Sequence, residues 1–198
     1  GNPVQVQLLS RAQMSERFEK LKQNILATIK DSKIEEDPRH SQLVCEWLLK
    51  LNRESSELLQ IAALAHDIER AVQPRIKQER GETYDNYKQR HAQRSAEITA
   101  KLMMACGYDD GSIEEVKIYI QEHEVGGSAQ IDLLRDADSI AYFDYNVNFY
   151  LKRNGLERSK EKIKLMFSRA SERAQQEILK IDLSPEVRKV FKYVIARY

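Results

Sequence analysis

Apolar residues recur every three or four positions through most of the chain. In the first clear example, Phe18, Leu21, Ile25 and Ile29 mark one face of a helix predicted over 15–30. Only seven glycines and four prolines occur in 198 residues, whereas leucine, isoleucine, alanine, glutamate, lysine and glutamine are frequent. Such a composition favours helices over strands. The pattern therefore predicts an all-α protein.

Helix-start residues locate the next two helices. Asp37-Pro38 suits the N-cap and first position of a second helix. Ser55 or Ser56 is expected to cap a third helix, which runs through position 68. Its faces are almost all apolar, so this helix should be central in the fold. The third helix would present the doublet His66-Asp67 at its C-terminal end.

Five more helices are predicted in the second half of the chain. A polar connection over about 72–82 precedes a long helix over about 84–105, which Gly107 ends. Ser112 is expected to cap the next helix, and Gly126-Gly127 to end it. The remaining helices are predicted over 131–150, 159–179 and 184–197.

Length and composition limit the location and the partners of the protein. The formal net charge is +1 with both signs interspersed, which argues against a nucleic-acid polymer as a partner. No apolar run approaches the ~20 residues that span a bilayer, so no membrane partner is expected. Cys45 and Cys106 lie in apolar patterns and are interpreted as small core residues in a reducing compartment. The N-terminal residues lack a basic start followed by an apolar stretch, so we expect a cytoplasmic protein. The length predicts a single domain over 1–198.

The candidate chemistry lies in His40, the doublet His66-Asp67 and Asp138, which fall in segments that otherwise resemble buried helices. Imidazole nitrogens and carboxylate oxygens that converge from several helices suit a divalent ion. Adjacent helical residues diverge by about 100°, so His66 and Asp67 bind one ion only near a helix end or flank. These four ligands would leave positions open for water and substrate, as in catalytic metal sites.

The neighbours of each carboxylate support this interpretation. Asp67 ends an apolar run and would be costly to bury unpaired. Asp138 is at helical spacing from Leu134 and shares its inward face, whereas Asp136 is expected to point elsewhere and to pair with a base such as Arg135. A lone histidine on an apolar helix is more often a core or surface residue, so the metal hypothesis depends on the ordered set.

Five segments resemble the HD superfamily of metal-dependent phosphohydrolases: DPRHSQLVCEWLLKL, LQIAALAHDIER, HAQRSAEITAKLMMACGY, IEEVKIYIQEH and IDLLRDADSIAYF. The shared pattern is an isolated histidine, an HD doublet and a late aspartate. The resemblance implies an HD-domain helical bundle over about 37–150, with a C-terminal helical extension over about 157–198. Its metal ligands would be His40, His66, Asp67 and Asp138.

The same resemblance suggests roles for further residues. His91 and His123 match histidines that bind a second metal or contact the substrate phosphate; the alternative is that both are surface residues next to helix ends. Asp67 and Glu69 are the candidate catalytic residues. The chain departs here from the bacterial 5′-nucleotidases of the superfamily, because Arg70 stands where they have an acid. Glu69 lies one residue earlier, which leaves its acid/base role open.

Two arginines and one tyrosine complete the candidate substrate site. Arg70 and Arg94 are candidate phosphate contacts, and a surface salt bridge is the alternative for Arg94. Tyr142 lies one turn beyond Asp138, which makes it the best pocket candidate among the aromatic residues over 142–150. These aromatics would otherwise form core or a subunit interface, so a homodimer is one option.

We therefore expect a metal-dependent phosphohydrolase acting on a small phosphorylated substrate, which by resemblance is a nucleotide. Its divalent ion would be Mn, Co, Ni, Fe, Mg or Zn, with one ion expected and two as the alternative. A metal-dependent ligand-binding or sensor HD module without hydrolysis is the main competing hypothesis, and an HD-type oxygenase with two irons is a third. The segment HDIERAVQPR also resembles a bacterial and fungal family of unknown function.

Overall fold

Helices form the regular structure of the chain in a computed structural model that describes residues 3–196, with side-chain burial described for 16–196. No strand occurs in that range, so the all-α prediction is confirmed. In chain order the helices are α1 (Pro3–Ile29), α2 (Asp37–Leu51), α3 (Glu57–Ala65), α4 (Tyr84–Ala105), α5 (Asp110–Glu122), α6 (Ala129–Ala141), α7 (Val147–Ser168), α8 (Glu172–Leu179) and α9 (Pro185–Ile195).

Side-chain caps explain where several helices begin. Ser56, Thr83 and Ser128 each accept a hydrogen bond from a backbone N–H in the first turn of α3, α4 and α6. These bonds satisfy donors that have no partner within the helix. The predicted Ser112 cap of α5 is wrong, because the carboxylate of Asp109 accepts from the backbone N–H of Ser112 at 2.9 Å. The helix therefore begins at Asp110.

The third helix is central, as its apolar faces predict. Ile61, Ala62 and Ala63 have no exposed surface, and α3 packs against α1, α2, α5 and α6. Because its alanines are small, these neighbours approach its backbone closely. The position of α3 explains why the residues that follow it lie in the interior.

Several predicted helix boundaries differ from those in the structure. Helix α1 begins at Pro3 rather than Ser15, and the predicted end of the last helix at Arg197 lies outside the described residues. Helix α3 ends at Ala65, so His66 and Asp67 lie beyond it and precede a short 3₁₀ turn, Ile68–Ala71.

The C-terminal helices also divide differently from the prediction. A π-helical turn, Tyr142–Asn146, joins α6 to α7, and α7 is kinked at Gly155, whose φ is 77°. The predicted helix over 159–179 is broken because Ser171 caps α8. Within residues 3–196, no helix is long and apolar enough to cross a membrane.

Asp136 is turned inward, contrary to the prediction that it pairs at the surface. Its carboxylate accepts hydrogen bonds from the backbone N–H and the hydroxyl of Ser171, at 2.8 and 2.5 Å. Arg135 instead pairs with Asp132. The physical reason is that α6 packs against α2 and also against α8, so two of its faces are buried. This arrangement buries Asp138 on one face and Asp136 on the other.

Candidate metal centre

Two histidines with the same local geometry meet in the interior. His66 follows the last residue of α3 and His123 follows the last residue of α5, as their C-caps. The Nδ1 atom of His66 donates to the Ala63 carbonyl at 3.0 Å, and that of His123 to the Ile120 carbonyl at 2.7 Å. Because Nδ1 carries the proton in these bonds, Nε2 of the neutral ring keeps its lone pair.

The free nitrogens of these rings face the same point. Both Nε2 atoms are buried and have no hydrogen-bond partner within the described part of the chain. The two ring centroids are 5.1 Å apart, and each residue is 1 % exposed. Buried polar atoms are almost always hydrogen-bonded or bound to an ion, so paired orphan nitrogens indicate a ligand position.

His40 reaches the same point from the first turn of α2. Its Nε2 atom lies 3.1 Å from Asp138 Oδ1 and 4.0 Å from Asp67 Oδ2. The Nε2 atom of His66 lies 3.4 Å from Asp67 Oδ2 and 3.7 Å from Asp138 Oδ1. Ligands at bond lengths of about 2.0–2.2 Å stand about 3–3.5 Å from one another around an ion. The observed separations are close to that spacing.

The structure thus contains His/Asp groups that could hold a metal ion. One group is His40, His66 and Asp67, and the other is His66, His123 and Asp138; in each, the ligand atoms lie within 4.8 Å of one another. The four residues expected to bind the ion do converge, and His123 joins them. His66 belongs to both groups through Nε2 alone, because its Nδ1 is occupied, so the groups share one ligand.

Arginines keep both carboxylates ionised. Burial raises the pKa of Asp67, but the contact with Arg70 and the nearby His66 outweigh it and hold this pKa well below its usual range. Burial acts likewise on Asp138, whose pKa is held low by Arg169 and His40. Burial lowers the pKa of His66, yet the two carboxylates raise it to about 9. A cation bound here would compete with that proton.

His91 lies between two carboxylates. Its Nε2 atom is 2.8 Å from Asp67 Oδ1, and its Nδ1 atom is 2.8 Å from Glu69 Oε2. Neither nitrogen is free to contact a phosphate, so the structure does not place His91 in the phosphate-binding position expected of it. The ring instead holds one oxygen of Asp67, which orients the carboxylate towards the histidine cluster.

Glu69 is fully buried and anchors this arrangement. Its second oxygen, Oε1, accepts from the backbone N–H of Ile76 at 2.5 Å. Burial raises the pKa of Glu69, but the hydrogen bond from His91 outweighs it and leaves this pKa below its usual value. Glu69 does not line the cavity beside the histidines. Glu69 is therefore better placed to orient His91 than to contact a substrate.

The cavity beside the cluster has a volume of about 610 Å³ and is lined in part by His40, Asp67, Asp138, Arg70 and Tyr142. Arg70 and Tyr142 therefore lie where a substrate contact was expected.

Arg94 does not line this cavity. It donates to the Pro74 carbonyl at 2.5 Å and lies 3.9 Å from Glu69 Oε1, so the structure places it away from the expected phosphate contact.

Among the aromatic residues over 142–150 other than Tyr142, Phe143 is 1 % exposed and packs in the core against Phe191, at 5.4 Å between ring centroids.

Sequence reasoning missed an ion-pair network that encloses the cluster. Glu124 Oε2 accepts from Arg169 at 2.5 Å, its other oxygen contacts Lys88, and it lies 3.5 Å from His123 Nε2. These cations and His123 hold the pKa of Glu124 well below its usual range despite its burial. Glu124 directly follows His123, a signal that could have found it. Arg169 carries no such signal, because it lies 31 residues after Asp138.

The fold and the site define an all-helical protein with a buried histidine–aspartate cluster able to hold a metal ion. A family model described as a domain of unknown function, DUF4202, matches residues 11–191. That match covers most of the chain, so the protein belongs to this family. Comparisons with curated proteins and with solved structures find no match.

Replacing Glu69 with alanine is expected to lower the free energy of unfolding by about 3 kcal/mol, because it leaves the Ile76 N–H and the buried Nδ1 of His91 without the acceptor that Glu69 provides. Urea denaturation measures the change. Glu97→Ala is the matched control: Glu97 is exposed on α4 and accepts a bond from Gln93. The control should stay within about 0.5 kcal/mol of the parent. Equal effects of the two variants would contradict the anchoring role of Glu69.

Proposed function

We propose that this protein is a metal-dependent phosphohydrolase of the HD type. The observation that carries the proposal is the meeting of three imidazoles and two ionised carboxylates beside a large cavity, which His40, Asp67 and Asp138 line. Two of the imidazoles present buried Nε2 atoms that have no hydrogen-bond partner in the described chain. The order of His40, His66-Asp67 and Asp138 along the sequence supports the HD assignment.

The donor set suits a borderline divalent ion. Imidazole and carboxylate ligands favour Mn, Fe, Co, Ni or Zn, and carboxylates with water also suit Mg. His40, His66, Asp67 and Asp138 would hold the ion, and His123 is a further ligand candidate. When bound, the ion supplies Lewis acidity that polarises a phosphoryl group and activates water as the nucleophile.

The chain's own side chains would bind and orient the phosphoester. Arg70 lines the cavity beside Asp67, where its guanidinium can pair with phosphate oxygens. Lys88 and Lys162 line the same cavity and would offset further negative charge. His91 and Glu69 hold Asp67 in place, so the catalytic candidate that meets the reacting atoms is Asp67. This arrangement supports hydrolysis of a small phosphorylated compound such as a nucleotide.

A ligand-binding or sensor module without hydrolysis is the second candidate. One observation favours it: each carboxylate of the cluster already contacts an arginine, Asp67 with Arg70 and Asp138 with Arg169. The cluster is thus electrostatically balanced with cations supplied by the chain itself. Such a site would tolerate a metal-free state and could respond to an anionic ligand.

Hydrolysis of phosphoesters is expected to require an added divalent ion and to stop in excess chelator. The measurement is phosphate release from a panel of nucleotides and other phosphomonoesters and phosphodiesters, with Mn²⁺, Co²⁺, Ni²⁺ and Mg²⁺ supplied separately. Metal content is determined on the same samples by elemental analysis.

Two outcomes would count against the hydrolase. Full activity in protein shown to be free of metal would exclude the metal-dependent mechanism. Metal binding without any hydrolysis across the panel would favour the binding or sensor module. Restored activity when metal is returned after chelation is the control that separates metal loss from denaturation.

A further inference from the structure

The cavity beside the histidine cluster has an excess of positive charge. Eight lysines and arginines but only four carboxylates line its wall. Each of those carboxylates already contacts a cation: Arg153 donates to Glu36 at 2.6 and 3.0 Å, and the other three contact Arg70, Lys88 or Arg169. Within residues 16–196, five lining cations make no ion pair: Lys33, Arg75, Lys77, Arg158 and Lys162.

Two of these unpaired cations stand one helical turn apart. Arg158 and Lys162 are at i and i+4 on α7, so their side chains share a face. The ammonium group of Lys162 lies 5.8 Å from the centre of the Tyr142 ring. Concave surfaces lined by one sign of charge concentrate ligands of the opposite sign. This part of the wall therefore suits an anion.

An independent observation comes from the π-helical turn at 142–146. Tyr142 and Asn146 both line the cavity. The hydroxyl of Tyr142 and Oδ1 of Asn146 are buried and have no hydrogen-bond partner among the described residues. The two residues are 3 % and 7 % exposed. Buried polar atoms that lack a partner indicate a ligand or an ordered water, and π-turns occur frequently at functional sites.

The electrostatics of Lys162 also favour an anion at this part of the cavity wall. Burial and the neighbouring cations Lys88 and Arg169 lower its pKa to about 7, although Glu124 and Asp138 act in the opposite direction. A phosphate beside the ammonium group would favour its charged form, because an opposite charge at short range stabilises ionisation.

We propose that Arg158, Lys162 and Tyr142 form a second phosphate subsite and that Asn146 holds a hydroxyl group of the ligand beside it, so that the natural substrate carries at least two phosphate groups on a hydroxyl-bearing body. Asn146 Oδ1 accepts hydrogen bonds only, which requires a donor such as a hydroxyl group on the ligand. The inference rests on the proposed function in placing the reacting phosphate at the histidine cluster. The subsite itself depends only on the cavity wall.

The test measures binding of inorganic tripolyphosphate and orthophosphate to the metal-free full chain by calorimetry at constant salt. The parent is expected to bind tripolyphosphate at least about tenfold more tightly than orthophosphate, because two charge-assisted contacts are added. The double variant Arg158→Gln/Lys162→Gln should lose that advantage. The control Lys152→Gln/Lys164→Gln removes the same charge from exposed positions of α7 outside the cavity wall, and should keep it.

Two results would overturn the subsite. Parent-like affinity in the Arg158/Lys162 double variant would show that these residues do not bind the anion. Equal losses in both double variants would show general attraction between charges. Thermal unfolding checks that each variant is folded. Binding to the metal-free chain needs neither metal nor hydrolysis, so metal content and phosphoester hydrolysis, measured in parallel, report separately on the proposed function.

Discussion

Replacing Asp138 with asparagine is expected to lower metal affinity and hydrolysis by at least about 100-fold, since the variant loses a charged ligand and not merely a group that orients one. Asp138 Oδ1 lies 3.1 Å from His40 and 3.7 Å from His66, at the centre of the cluster. Asparagine has nearly the same shape, so the packing of α6 should persist. Metal content, metal affinity and phosphate release are the measurements.

Asp136→Asn is the matched control for this change. Asp136 lies two positions earlier on α6 and is equally buried, at 7 % exposed against 6 % for Asp138. Its carboxylate bonds to Ser171 and not to the histidines. We expect the Asp136→Asn protein to keep its metal while losing about 1–2 kcal/mol of stability through a weakened buried hydrogen bond. Full metal content in Asp138→Asn, or equal metal loss in both variants, would contradict the assigned site.

Replacing His123 with glutamine is expected to weaken metal binding and to shift the visible absorption bands of the Co²⁺-loaded protein. The physical reason is the buried Nε2 atom, which lies with His66 and Asp138 in one ligand group. Loss of an imidazole ligand changes the ligand field as well as the affinity. Titration with Co²⁺, followed by absorption, gives both quantities.

His91→Gln separates a ligand from a group that positions one. His91 contacts the cluster only through Asp67, so its loss should reduce metal affinity by about 10–100-fold and leave the Co²⁺ bands near their parent positions. If His123→Gln instead keeps the parent spectrum and affinity but raises KM, His123 contacts substrate and the ligand assignment fails.

The helices of this protein could be predicted with little more than periodicity and end signals. Helix α4 spans Tyr84–Ala105 as its pattern predicts, and α3 is buried as its apolar faces require. The boundaries that were missed depend on contacts over long distances. Ser171 caps α8 with support from Asp136 on α6, a contact between residues 35 positions apart that no local pattern contains.

The candidate site was likewise predictable from the sequence only in part. The chain order and the apolar neighbours of His40, His66, Asp67 and Asp138 were enough to predict that they converge. His91 and His123 could not be distinguished from sequence, because both are single histidines on amphipathic helices. Packing placed His91 between two carboxylates, and it placed His123 in the cluster with a buried Nε2 atom that has no hydrogen-bond partner among the described residues.

The sequence by itself determined that the chain is helical, that α3 is central, and which carboxylates fall in buried segments, because these follow from local periodicity and the cost of burying charge. Only the tertiary structure decided which charges pair. Arg169 contacts Asp138, and Lys162 faces the cavity without an ion pair among the described residues. Such pairings depend on how α7 packs against the rest of the fold, and Coulomb interactions act at distances of a few ångströms that residue spacing along the chain does not encode.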